Sequence, residues 1–180
     1  KVATLRNTRS VGVPDVVRCA RICLEAGADG ITVHPRPDER HIRPHDVAEL
    51  ARLVADHPGA ELNVEGNPFS AFMDLAERHR PTQCTLVPDG ASQATSDHGW
   101  DLTRDGERLR PIIDRLRASG SRVSLFIDAG ADAVTLAHQL GADRVELFTG
   151  PYAAAFARGD HAAALAPSRA AIERAEEVGV

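Results

Sequence analysis

Short apolar runs alternate along the chain with longer segments of helical periodicity. Three segments share one pattern, a glycine followed by a short polar link and a run rich in Val, Ile, Leu or Phe: 26–34, 118–128 and 140–148. Two further strand-like runs are ELNVE at 61–65 and QCTLV at 83–87. A glycine after the last helical turn suits a left-handed helix cap. The pattern therefore predicts repeated helix–loop–strand units.

Helical patterns fill the intervals between these runs. Asp15 is placed to cap a helix in which Val16 and Ala20 lie one turn apart. Further helices are predicted over 46–54, 69–78, 109–116, 131–140 and 167–178. The alanine-rich segment 149–160 is instead expected to be a loop of moderate length.

This alternation predicts the fold class. Short strands that alternate with helices of ten or more residues indicate an α/β protein with a parallel sheet. No Gly-x-Gly-x-x-Gly motif follows a strand, which disfavours an open dinucleotide-binding sheet. We therefore expect one (β/α)8 TIM barrel domain over residues 1–180. Such a barrel takes about 250 residues, so the first strand and the last strands are expected to be missing and the barrel to be incomplete at both ends.

The composition of the chain argues against two classes of binding partner. The formal net charge of −5 argues against a general nucleic-acid or anionic-membrane surface, so neither partner is expected. No apolar run approaches the roughly 20 residues of a membrane span. The three cysteines have no regular spacing, which predicts reduced thiols in a cytoplasmic protein. A metal pair at Cys19 and Cys23 is the weaker alternative.

Acid–base side chains stand in or at the ends of the predicted strands. His34 and Glu65 each end a strand, and Glu146 lies inside one. Active sites of parallel barrels gather at the carboxyl ends of the strands. A histidine and two carboxylates in one barrel mouth would supply general acid–base groups with tunable pKa values. Asp128 also ends a strand, but we expect it to cap the following helix.

The segment 30–42, GITVHPRPDERHI, predicts an anion site. Its β-branched run stops at His34 and opens into a loop that carries Arg36 and His41 and is stiffened by two prolines. Arg6 and Arg9 add guanidinium groups suited to phosphate binding, although two solvent-exposed arginines fit the sequence equally well.

A long polar segment, 88–100, follows the QCTLV run. Its small and polar residues are typical of a lid or of a disordered loop. Thr95 and Ser96 could donate hydroxyl groups to a ligand, although surface residues of a loop need no such role.

Six segments, taken together, resemble a known family. ATLRNTRS, GADGITVHPRPDERHI, LNVEGN, CTLVPD, VSLFID and VELFTG occur in this order. They are similar to the pyridoxine 5′-phosphate synthases of the deoxyxylulose-phosphate-dependent vitamin B6 pathway. The resemblance implies a TIM barrel with extra helices that assembles into a homo-oligomer, an octamer. It also implies condensation of 1-deoxy-D-xylulose 5-phosphate with 3-amino-2-oxopropyl phosphate to pyridoxine 5′-phosphate, phosphate and water, without a metal or organic cofactor.

The resemblance further implies roles for individual residues. His34 and Glu65 match the proton acceptors of the family, and Glu146 matches an acid that stabilises a transition state. The matches to substrate contacts are Arg36, His41 and Thr95 for the deoxyxylulose phosphate, Arg9 for the amino ketone phosphate, and Lys1 at the edge of a substrate-binding strand end. Three parts of the family's site have no match in this sequence: an asparagine of the first strand, the proton-donor histidine in an Asn-Ala-Gly-His stretch, and a second phosphate-binding glycine loop. About half of the expected site is therefore represented.

Two alternatives remain open at this point. A metal-dependent barrel hydrolase would use His34, His41 and Glu65, although such enzymes usually carry His-x-His at an early strand end. The second alternative is an inactive, truncated fragment of the synthase.

Overall fold

The computed structural model describes residues 2–8 and 11–180. Lys1 and Arg9, two of the predicted substrate contacts, lie outside the described residues. Five strands are present in this part of the chain: β1 Gly30–Val33, β2 Glu61–Gly66, β3 Gln83–Leu86, β4 Arg122–Asp128 and β5 Arg144–Phe148. Each predicted strand is therefore observed, with bounds that differ by a residue or two at most.

The strands form one parallel sheet in the order β1-β2-β3-β4-β5. Consecutive strands are neighbours throughout, so the described sheet has no point at which the strand order reverses. A doubly wound sheet has such a reversal, and its ligand binds there. The observed order is instead that of a barrel wall.

Helices connect the strands. Their bounds are α1 Val2–Asn7, α2 Val16–Glu25, α3 Pro44–Ala55, α4 Ser70–His79, α5 Leu102–Ala118, α6 Ala131–Gln139, α7 Gly150–Ala157, α8 His161–Ala164 and α9 Ala166–Val178. Asp15 caps α2 as predicted, because its carboxylate accepts a hydrogen bond from the Arg18 N–H at 2.8 Å.

Two of the helix predictions were wrong in extent or in kind. Helix α5 begins at Leu102 rather than at 109, because Asp101 caps it there. Pro111 lies inside the helix, as it does in the predicted range. The segment 149–160 contains helix α7 and is not simply a loop. Its alanines favour the helix, and Pro151 lies in the first turn, where a missing N–H costs nothing.

Glycines end the helices that precede β1, β4 and β5. Gly27, Gly120 and Gly141 have φ values of 96°, 96° and 87°, as the shared sequence pattern predicts. A residue with a side chain is strained in this conformation, so glycine suits the sharp turn from helix to strand.

The two faces of the sheet differ in polarity. One face packs against the helices, and its fully buried side chains include Val64, Cys84, Leu86, Val123, Leu125 and Ile127. The alternating positions carry polar side chains such as Glu61, Thr85 and Arg122. Glu61 pairs with Arg122, and the Thr85 hydroxyl donates to the Asn63 amide oxygen at 3.0 Å. The hydrophobic core therefore lies between sheet and helices, and the inner face of the wall is polar.

Two of the cysteines differ clearly in environment. Cys84 is buried in β3, and burial raises the pKa of its thiol to about 12. Cys23 is exposed on α2. Over the described ranges, no helix is long and apolar enough to cross a membrane.

Candidate active site

The structure brings together His34 and Glu65, the two predicted strand-end groups. Val33 of β1 lies in register with Val64 of β2, so the next residue of each strand lies at the same level. The His34 Nδ1 and Glu65 Oε2 atoms are 3.8 Å apart, and the two side chains are only 19% and 20% exposed. The pair therefore lies side by side and half-buried at the carboxyl ends of β1 and β2.

Burial shifts the pKa values of this pair in opposite directions. Desolvation lowers the pKa of His34 to about 4, and the nearby Arg36 guanidinium adds to the effect. Desolvation raises the pKa of Glu65 to about 7, with further contributions from Glu146 and Asp89. At neutral pH the contact consequently joins a neutral imidazole to a partly protonated carboxyl group and is not an ion pair.

Glu146 completes the predicted group of three. It lies in β5 in register with Phe126 of β4, and desolvation raises the pKa of its carboxyl group. Its charge contributes to the raised pKa of Glu65. Glu146 lies in β5, an edge strand of the described sheet, so its side chain stays accessible to solvent although burial desolvates part of its carboxyl group.

A cavity of about 460 Å³ lies beside this pair. His34, His41 and Glu65 line it together with apolar side chains of α2 and β1. The predicted binding residue His41 is thus brought to the same cavity as the two predicted proton acceptors. The lining of the cavity therefore combines ionisable groups with apolar side chains.

Arg36 reaches the site but is already engaged by protein groups. Its side chain is buried, pairs with Asp89, and donates to the Gln93 carbonyl oxygen at 2.8 Å. Arg40 behaves similarly, because it donates to the Ala94 carbonyl oxygen at 2.9 Å and pairs with Asp38 at 3.2 Å. Both arginines join the loop after β1 to the 88–100 segment.

Arg6 has a different role from the predicted phosphate binding and is not simply solvated. Its guanidinium binds both carboxylate oxygens of Asp46, at 2.5 and 2.8 Å, and donates to the His41 carbonyl oxygen at 3.2 Å. The neighbouring Asn7 amide donates to the Arg40 and His41 carbonyl oxygens at 2.9 and 2.8 Å. Helix α1 therefore holds the loop that carries His41.

The 88–100 segment contains no helix or strand, and Gly99 and Trp100 anchor its C-terminal end. The Trp100 indole N–H donates to the Leu86 carbonyl oxygen at 2.9 Å, and the Trp100 N–H donates to Phe126. Gly99 lies so close to β4 that an added Cβ atom would be 2.2 Å from the Asp128 nitrogen. Thr95, a predicted substrate contact, is exposed near the middle of the segment.

Asp128 does not have its predicted partner. Its carboxylate accepts from the Gly99 N–H at 3.0 Å and so holds the end of the 88–100 segment. Helix α6, which it was expected to cap, begins after Gly130 without a side-chain cap. The prediction was wrong because the loop that approaches the strand end is distant in sequence.

The sequence reasoning also missed Asp89. This residue is buried behind the carboxyl end of β3, where its carboxylate accepts hydrogen bonds from Arg36 and from the Ser96 hydroxyl. The signal was present in the sequence, because Asp89 follows the QCTLV run just as His34 follows the first strand. Applying the strand-end rule to every strand would have included it.

The side chains proposed for metal binding are not grouped for that purpose. Within residues 2–8 and 11–180, no group of three or more His, Cys, Asp or Glu side chains is placed to hold a metal ion. His34, His41 and Glu65, which the hydrolase alternative requires, are therefore not such a group, and among the described residues no third ligand of this kind joins Cys19 and Cys23.

Solved structures of other proteins share this fold. A 3-hexulose-6-phosphate synthase matches with a TM-score of 0.56 at 21% identity, covering 87% of this chain and 68% of that one. The enzyme of the same name from Salmonella typhimurium matches with a TM-score of 0.56 at 15% identity, covering 89% and 69%. At this identity the likeness concerns the fold alone, and it confirms an incomplete TIM barrel.

Sequence relatives are much closer. The family described as "Pyridoxal phosphate biosynthesis protein PdxJ" matches residues 1–180. A pyridoxine 5′-phosphate synthase from Xanthomonas campestris pv. campestris (strain B100) is 51% identical over 187 aligned residues, which cover 100% of this chain and 73% of the relative. The protein of the same name from Albidiferax ferrireducens is 56% identical, with coverage of 87% and 64%. The chain therefore belongs to the PdxJ family of pyridoxal phosphate biosynthesis proteins.

Proposed function

We propose that this protein synthesises pyridoxine 5′-phosphate, with His34, Glu65 and Glu146 as its acid–base groups. Family membership and relatives of 51% and 56% identity that carry this activity in their names support the reaction. The observation that supports these roles most directly is the 3.8 Å approach of His34 to Glu65, with the two pKa values shifted in opposite directions.

The substrates are small phosphorylated molecules, in keeping with the family. The proposed pair is 1-deoxy-D-xylulose 5-phosphate and 3-amino-2-oxopropyl phosphate. The amine of one condenses with the ketone of the other to form an imine and water. Phosphate then leaves, water adds in its place, and an aldol-type closure with dehydration forms the aromatic ring. Each stage moves protons between carbon, nitrogen and oxygen, and a positioned acid or base accelerates such a transfer by about 10²–10⁴.

The shifted pKa values suit these transfers. A neutral His34 is available to accept a proton at neutral pH, whereas a carboxyl group with a pKa of about 7 both accepts and releases protons there. A phosphate bound near Arg36 would offset the positive charge that depresses the pKa of His34. Binding of substrate would thereby make His34 a stronger base.

The proposed binding contacts extend this assignment. Arg36, His41 and Thr95 would contact the deoxyxylulose phosphate, and Arg9 would contact the amino ketone phosphate. Lys1 would contact substrate at the edge of a strand end. Anchoring the two phosphates positions the reacting carbon and nitrogen atoms. The family resemblance also supports one barrel domain over residues 1–180 and assembly into a homo-octamer.

Turnover of the two substrates tests the proposal. The intact protein is expected to release pyridoxine 5′-phosphate and inorganic phosphate, both of which can be followed by chromatography and a phosphate assay. His34→Ala and Glu65→Gln should each lower kcat by about 10²–10⁴, whereas His138→Ala on the exposed face of α6 should not. A wild-type protein without turnover would support the inactive-fragment alternative. Near-normal turnover of both site variants would contradict the acid–base roles.

A further inference from the structure

Asp89 is a buried carboxylate to which the proposed reaction gives no task. Its side chain is 2% exposed. One carboxylate oxygen, Oδ2, accepts from the Arg36 guanidinium and from the Ser96 hydroxyl, the latter at 2.7 Å. The other oxygen, Oδ1, is buried without a hydrogen-bond partner among the described residues. Burying such an oxygen is costly, so stability alone does not account for this carboxylate.

Asp89 also contacts the segments that follow two neighbouring strands. It follows β3, and its carbonyl oxygen accepts from the Asn67 amide beyond β2 at 3.2 Å. Arg36, its ion-pair partner, lies beyond β1. Asp89, Arg36 and His34 together line a cavity of about 110 Å³. The carboxylate therefore lies near the carboxyl ends of the strands, at the same cavity as His34, the proposed base.

Two donors from different segments share one oxygen of Asp89. Arg36 comes from the loop after β1, and Ser96 comes from the 88–100 segment. Since Oδ1 has no hydrogen-bond partner among the described residues, these two hydrogen bonds are the ones that orient the carboxylate. In return, the carboxylate determines where Arg36 and Ser96 lie relative to each other.

We propose that Asp89 is a positioning residue of this active site, which holds the Arg36 guanidinium in place for a phosphorylated substrate and ties the 88–100 segment to it through Ser96. The inference rests on the proposed function and adds to it a residue that touches neither substrate. Its effect on binding is transmitted through Arg36.

The charge of Asp89 also acts on the pKa values of His34 and Glu65, so the pH dependence of activity reports on it. The groups whose charges act on His34 are Arg36, Asp89, His41 and Arg40, and those that act on Glu65 are Glu146 and Asp89. Asp89 raises the pKa of both His34 and Glu65. Removing its charge should therefore lower both pKa values, whereas a purely structural defect would leave the pH dependence unchanged.

The central test is Asp89→Asn in the intact enzyme, which keeps the size of the side chain and removes its charge. The KM for 1-deoxy-D-xylulose 5-phosphate should rise by about tenfold or more, because Arg36 loses its charged partner. The KM for 3-amino-2-oxopropyl phosphate should change by less than about twofold. The profile of kcat/KM against pH should move to lower pH.

Two further variants separate the effect of the Asp89 charge from the effects of losing one hydrogen bond and of removing a charge elsewhere in the segment. Ser96→Ala removes one hydrogen bond without a change of charge, so the KM for the deoxyxylulose phosphate should rise by about threefold with an unshifted pH profile. Asp97→Asn makes the same chemical change as Asp89→Asn in the same segment, but this side chain is 67% exposed. It should match the wild type in both KM and pH profile.

Three results would overturn the inference. Asp89→Asn could retain the wild-type KM and pH profile, or it could raise both KM values equally, as general loosening of the fold would. If thermal melting shows that Asp89→Asn does not fold, an unchanged KM in Ser96→Ala overturns the inference instead. Turnover by the wild type tests the proposed function separately, and direct binding of the deoxyxylulose phosphate, measured by calorimetry, compares the variants without turnover.

Discussion

The two faces of the parallel sheet carry different properties of this protein. On the helix side, Val64 and Leu125 are fully buried in the core. On the inner side, one residue further along β2, Glu65 lies half-buried beside His34 with a raised pKa. Because successive strand residues point to opposite faces, a step of one residue separates a core position from a site position. Substitutions in the core should therefore affect mainly stability, and substitutions on the inner face should affect mainly chemistry.

The largest stability effect is expected on the helix side. Leu125→Ala should lower the free energy of unfolding by about 2–5 kcal/mol, because it leaves a cavity at a fully buried position. Urea unfolding followed by circular dichroism measures this. The matched control is Ile172→Ala on α9, where the side chain is 54% exposed and the loss should stay within about 0.5 kcal/mol. Equal losses in the two variants would remove the distinction between core and surface.

On the inner face, removing the Glu65 carboxylate should instead raise the free energy of unfolding. The pKa of Glu65 is raised in the folded protein from its ordinary 4.5 to about 7. Its contribution to stability is therefore fully present below its ordinary pKa and is lost as the pH rises through the folded value. Glu65→Gln is neutral at every pH and should be more stable than the wild type by about 2–3 kcal/mol near pH 8, with no gain near pH 4.

Urea unfolding of Glu65→Gln across this pH range checks the sign. Glu49→Gln, at an exposed position of α3, should show no pH-dependent gain. If Glu65→Gln loses stability at high pH, the carboxylate stabilises the fold and the assignment of the inner face to chemistry fails.

A smaller loss is expected where α1 holds the loop after β1. Burial alone would raise the pKa of Asp46, but hydrogen bonds from Arg6 and from the Arg43 N–H bring it below its ordinary value. Asp46→Asn weakens both contacts and should cost about 1–2 kcal/mol at neutral pH. The cost should diminish as the pH falls through the lowered pKa of Asp46, because the wild type then loses the same interaction.

The control for this variant is Asp114→Asn, an exposed carboxylate on α5. Thermal melting should show a change below about 0.5 kcal/mol for it. A loss in Asp46→Asn that is independent of pH would show that packing, and not the carboxylate charge, holds the loop.

The parts of the fold that could be predicted from sequence are those that local patterns specify. The apolar runs predict all five strands, and the glycines that end helices predict the turns into β1, β4 and β5. Helix α7 was missed because its alanine-rich sequence carries little hydrophobic periodicity. The start of α5 was missed because residues 102–108 are mostly polar or charged and carry little hydrophobic periodicity.

The site was predictable as far as it follows strand ends. That rule places His34 and Glu65 together, and the structure brings them within 3.8 Å. The partners of Arg6, Arg36 and Asp128 could not be predicted, because each lies in a segment distant in sequence that only the folded chain brings close. Whether an arginine faces a phosphate or an aspartate is decided by that packing and not by its neighbours in sequence.

The central claim is that His34 and Glu65 do not form an ion pair, because His34 is neutral and Glu65 is partly protonated at neutral pH. A nuclear magnetic resonance titration of the ligand-free intact protein tests it directly, with the His34 ring and Glu65 carboxyl signals assigned from His34→Gln and Glu65→Gln. The account predicts that the pKa of His34 lies near 4 and that of Glu65 near 7. A pKa of His34 at or above its ordinary 6.5, together with a pKa of Glu65 at or below 4.5, would contradict it.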